Sequence, residues 1–178
     1  MTERLFRVHG VIPLALLDPD RALPEDRLSQ RPATDRVRLL STRLNTRDAS
    51  IRDLFRVMIE TMAGLESELR DLQRHVLLYE AGVTLTPALV ALGGDGMVVP
   101  WSAERALGDT LSLVFTLNVR ESDHLFSVQA QVEASSPDDG TELLFTRISQ
   151  DQRDLIVAWV FQQQAMERRR DLDAAGPR

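Results

Sequence analysis

Ala91-Leu-Gly-Gly-Asp-Gly-Met97 is the stretch on which the fold turns. Its glycines can cradle a phosphate if a helix starts at them and aims its free N–H groups at the anion. They can equally close a tight turn between two strands, where Asp-Gly pairs are common. The flanks decide between these readings. VTLTPALVAL (83–92) and MVVPW (97–101) both carry the two-residue period and β-branched content of strands. No helix begins at the glycines, so GGDG (93–96) reads as a hairpin turn.

The same period continues outward. TLSLVFTLNV (110–119), LFSVQAQVEA (125–134) and TELLFTRI (141–148) read as strands. ERALGD, NVRESDH and SSPDDG read as the turns between them. At the other end RLFRVHGVIPLALL (4–17) is one more strand. Ser149 and Gln152 have the spacing of a capping box, ahead of a helix whose apolar face is Leu155, Ile156, Trp159, Val160 and Met166. Six antiparallel strands in so short a chain predict a closed or half-closed β-barrel with added helices, an α+β fold that is mainly β.

Between the first strand and the rest lies a different pattern. Three of the eight prolines fall between Pro19 and Pro32, which marks a loop. Val37, Leu40 and Leu44 follow at helical spacing. After TRDAS the gaps alternate four and three without a break: Ile51, Phe55, Met58, Met62, Leu65, Leu69, Leu72, Val76 and Tyr79. This is a heptad seam, and Asp48 or Ser50 is placed to cap its helix. A single core face does not need so many heptads in register, so the seam points to self-association rather than packing within one chain. The mixed Phe, Met, Leu and Val core leaves the number of helices open. The expected organisation is a first strand (1–18), a loop (19–35), a helical oligomerisation insert (36–81), the remaining barrel with its closing helix (82–170) and a frayed tail (171–178).

Composition narrows the chemistry. The 178 residues carry a net charge of -6, all Lys+Arg positions are Arg, and there is no Cys. An acidic surface argues against nucleic acid and anionic membranes as general partners. The lack of Cys excludes thiol chemistry and disulfides and fits a cytoplasmic setting. VIPLALL is too short to span a bilayer. His9, His75 and His124 have no metal-ligand spacing, no G-x-S-x-G elbow occurs, and Asp138-Asp139-Gly140 reads as a turn. A non-enzymatic protein is expected.

With these residues, the chain resembles the PilZ domain family, the receptor module for cyclic di-GMP. The resemblance covers Arg4 to about Leu17 and Val83 to Arg170. It rests on ALGGDG at the family's D-x-S-x-x-G turn, then ALGDTLSLVFTLNV, FSVQAQVEA, LLFTRI and QRDLIVAWVFQQQ. The heptad insert resembles an oligomeric branch whose extra helices build a four-helix coiled coil, which implies a tetramer. Against that family the overlap of GGDG with the GGDEF loop of diguanylate cyclases is a coincidence of three residues.

The ligand motifs are degenerate. Ala91 stands at the family's Asp or Asn and Gly93 at its Ser; Gly96 alone is retained. The family's R-x-x-x-R clamp is represented by Arg4 and Arg7, one residue too close. Arg70 and Arg74 have the spacing but lie in the heptad helix, where they read as a solvated face. The resemblance therefore implies an adaptor that binds protein partners in motility or cyclic di-GMP signalling, has no cofactor, and has lost cyclic di-GMP binding. Two alternatives stay open: a nucleotide sensor using Arg4 and Arg7, and a structural coiled-coil protein with an inert barrel.

Overall fold

The computed structural model describes residues 7–21, 23, 49–101, 106–119, 122–136 and 140–175. Arg4, Val37, Leu40, Leu44, Asp48, Asp138 and Asp139 lie outside them. Six strands, β1 (Val8–Leu17), β2 (Thr86–Leu92), β3 (Gly96–Val99), β4 (Thr110–Val119), β5 (Ser122–Ser136) and β6 (Gly140–Arg147), form a closed antiparallel barrel in the order β1-β2-β3-β6-β5-β4. Helix α1 (Ala49–Glu80) precedes β2, and α2 (Gln150–Ala175) follows β6. Helix α2 thus runs past Arg170, where the sequence pattern ends it. Ser50 stands inside α1 and not before it.

The barrel closes because each strand alternates. Ile12 and Leu14 of β1, Leu113, Phe115 and Leu117 of β4, and Phe126 and Val128 of β5 point inward and are almost fully buried. Phe115 stacks on Phe126 with ring centroids 4.9 Å apart. Strand β1 pairs with β2 over Val8–Leu14 and with β4 over Leu14–Leu17. Its first half is therefore not paired to β4, and α2 packs there. Trp159 lies against Gly10, whose Cβ, if present, would come within 2.6 Å of the indole. Ile156, Trp159 and Val160 complete the core. Met166, expected on the same face, is instead exposed, because α2 has by then run beyond the barrel.

Both helices have readable ends. The Ser149 hydroxyl accepts from the Gln152 amide at 3.2 Å, and the Gln152 side chain accepts from the Ser149 amide at 3.0 Å, a reciprocal capping box. Helix α1 ends in a Schellman motif. Gly82, at φ 63°, donates to Tyr79 O, and Val83 donates to Leu78 O.

Two turns differ from expectation. Asn118, Val119 and Ser122 to His124 are paired strand residues, with the ladder running on to Val119↔Ser122. In GGDG the connection is tight, with the Gly93 amide donating to Gly96 O at 2.9 Å. Gly96, however, does not take the left-handed conformation that an Asp-Gly turn uses. It is a ladder residue opposite Leu144, and a Cβ there would collide with the carbonyl oxygen of Leu143. Glycine is required for close strand approach and not for the turn.

Candidate functional site

The expected ligand turn folds into the barrel wall. Ala91 pairs with His9 on one side and Val98 on the other. Gly93 and Gly96 are buried. None of the three offers a side chain that could hydrogen-bond a base. Arg7, just ahead of β1, is already engaged: its guanidinium lies 2.8 Å from the Glu142 carboxylate on β6, and both side chains are 17% exposed. The Glu142 carboxylate thus already pairs with this guanidinium. Ala91, Gly93, Gly96 and Arg7 share one end of the barrel, where the Arg7 Nε is buried without a hydrogen-bond partner.

The other candidate surface is α1. At its seam positions exposure runs from 36% at Phe55 to 87% at Tyr79. Ile51, Met58, Met62, Leu65, Leu69, Leu72 and Val76 lie between these limits. A helix normally turns such a stripe toward a core; here the described barrel meets the helix at β5 while the stripe stays exposed. Leu54 and Val57 extend the apolar surface at the end remote from the barrel. Gly64 has open space around its Cβ position, so no packing demands a glycine there.

The four-residue spacing of Arg70 and Arg74 predicts a solvated Arg74. The structure corrects this: it joins α1 to the barrel. Its side chain is 17% exposed, and its guanidinium pairs with Asp71 at 3.3 Å and with Asp123 of β5 at 3.2 Å. Asp123 also accepts from Asn118 at 2.8 Å. No local signal announces a contact between positions 49 residues apart. Arg70 pairs with Glu66 in its own helix. His75 is exposed, its Nδ1 within 2.7 Å of Asp71 O.

His124 sits next to this junction, half-buried. Burial lowers its pKa below 6.5, Arg70 pushes the same way, and Asp123 opposes weakly. The folded ring therefore binds a proton less readily than the unfolded one. Its contribution to stability is present above about pH 6.5 and is lost as pH falls toward the lower folded value. At fixed protein concentration the urea midpoint should drop between about pH 7.5 and pH 5.5, and drop less in His124→Asn. Equal drops would show that His124 is not responsible.

Among the described residues no group of three or more acidic or His side chains could hold a metal. No described helix is long and apolar enough to cross a membrane.

No protein-family model and no curated protein matches the sequence. The structure does have a solved counterpart, from Xanthomonas campestris, described as a pathogenic protein with a new tetrameric PilZ domain self-assembled via an unusual helical bundle. The match has a TM-score of 0.53 at 14% sequence identity and covers 94% of this chain and 92% of that one. By this likeness, the six-stranded antiparallel barrel with a long helix between β1 and β2 and a closing helix on the barrel wall has the fold of that PilZ-domain protein.

Proposed function

We propose that this chain is a non-enzymatic PilZ-fold adaptor that self-assembles through α1 and presents several barrels to a protein partner. The observation that carries the reading is the exposed heptad seam. Each Leu, Met or Phe left in water forgoes about 1.5–3 kcal/mol of burial, and a second copy supplies the matching surface. By likeness to the tetrameric Xanthomonas protein, the assembly is a homotetramer. Mechanistically, weak contacts by individual barrels gain affinity because assembly raises their effective concentration. The partners on this reading belong to motility or cyclic di-GMP signalling, and the setting is cytoplasmic.

The ligand arm of the reading is negative. The Arg7–Glu142 ion pair and the absence of polar side chains at Ala91 and Gly93 weigh against a nucleotide sensor. Calorimetric titration of the chain with cyclic di-GMP is expected to give no saturable heat. Saturable binding would make the protein a sensor and overturn the adaptor reading.

A further inference from the structure

At 3.6 residues per turn, Arg74 lies about 200° round α1 from Leu72 and from Val76, on the face away from the seam. The barrel therefore attaches to the back of the helix, and pairing through the seam leaves that attachment in place. The attachment has two points. One is covalent: residues 81–85 lead from the end of α1 into β2, and the left-handed Gly82 closes the helix at their start. The other is Arg74 on Asp123 of β5. In the closed order β1-β2-β3-β6-β5-β4, β2 and β5 are three strands apart in either direction. The two points therefore hold opposite walls of the barrel.

The second point is a chain of contacts in which no atom is used twice. Arg74 Nη2 lies 3.3 Å from Asp71 Oδ1, and Nη1 donates to Asp123 Oδ2 at 3.2 Å. The other carboxylate oxygen, Asp123 Oδ1, accepts from Asn118 Nδ2 at 2.8 Å. Asn118 and Asp123 are also ladder partners on β4 and β5, so the acceptor is set by the barrel wall. Arg74 is the covered member, at 17% exposure against 41% for Asp123. Water and salt screen such a pair less than they screen two exposed side chains.

We propose that Arg74 is the positioning residue of the barrel, a charge-held joint that fixes the barrel's orientation on α1. With both points engaged, opposite walls are held and the barrel does not turn. Without Arg74 the covalent point remains, and rotation about the soft backbone dihedrals of residues 81–85 lets the barrel swing. The joint lies within one chain and stands without assembly. Its consequence for partner binding rests on the adaptor reading: assembled barrels gain affinity only where their geometry lets them engage together, and a fixed orientation sets that geometry.

The natural chain contains no Cys, so two introduced thiols can be labelled cleanly. Ser67→Cys on α1 and Glu133→Cys on β5 are both at exposed positions. Spin labels there, with the labelled chain diluted into unlabelled chain, report the intrachain distance by pulsed dipolar spectroscopy. One narrow distance is expected in the natural background. Arg74→Ala and Asp123→Ala should each lose the single peak and give a broad distribution, while Arg74→Lys, which keeps the charge, should stay narrow. Near-ultraviolet dichroism checks that the barrel of each variant is folded. A narrow, unshifted distance in Arg74→Ala would overturn the proposal. So would Arg74→Lys as broad as Arg74→Ala, since the joint would then not be held by charge. Light-scattering mass reads assembly separately, so a failed seam and a failed joint give different results.

Discussion

Replacing Leu65 and Leu69 with Asp reduces the assembly to single chains of 20.0 kDa while the barrel stays folded. Both side chains lie mid-seam on α1, at 61% and 55% exposure in the isolated chain. Neither touches the barrel core, which is built from β1 to β6 and α2. In a coiled coil each becomes a buried core residue worth about 1.5–3 kcal/mol. An Asp there loses that term and must also be desolvated or be protonated, which costs several kcal/mol more. The penalty is repeated in every chain of the assembly, so the equilibrium shifts by many orders of magnitude. Sedimentation velocity should show only the small species, and near-ultraviolet dichroism from Trp159 should be retained. A variant that keeps the mass of the unmodified protein would place the interface elsewhere.

The second large effect is at Gly96. A methyl group there collides with the Leu143 carbonyl oxygen and sits 3.2 Å from Leu144 Cα. Both obstacles are backbone, in a ladder already fixed by Gly96↔Leu144 and Met97↔Leu143. Relief therefore requires β3 and β6 to separate. Overpacking of this kind costs about 1–3 kcal/mol or more. At roughly 2–4 °C per kcal/mol for a chain of this size, Gly96→Ala should lower Tm by up to about 10 °C. Gly64→Ala is the matched control. It adds a methyl group to a helix interior with open space around it, and should raise stability by about 0.5–1 kcal/mol. Thermal unfolding at one protein concentration separates them. Similar shifts in both variants would show that strand approach at Gly96 is not tight.

These two positions also show what the sequence makes legible. The seam is visible because a heptad repeats locally, and the strands are visible because inward and outward residues alternate. The Ser149–Gln152 box depends on residues three apart, so its geometry follows from spacing alone. Other features depend on contacts remote in sequence. The reason for Gly96 lies in Leu143, on the neighbouring strand β6. The role of Arg74 lies in Asp123, and the engagement of Arg7 lies in Glu142. No periodicity within either segment encodes such pairs. The hairpin from Asn118 to His124 misled for a related reason. At a barrel rim a strand keeps pairing while its outward side chains become polar, and Asn118 and Asp123 then look like turn residues.

The most direct test of the account is the mass of the unmodified chain in solution by multi-angle light scattering. Assembly through α1 predicts four times the 20.0 kDa of a single chain, held as the sample is diluted through the micromolar range. A mass of 20.0 kDa at every concentration would contradict it, and the exposed seam of α1 would then need another occupant.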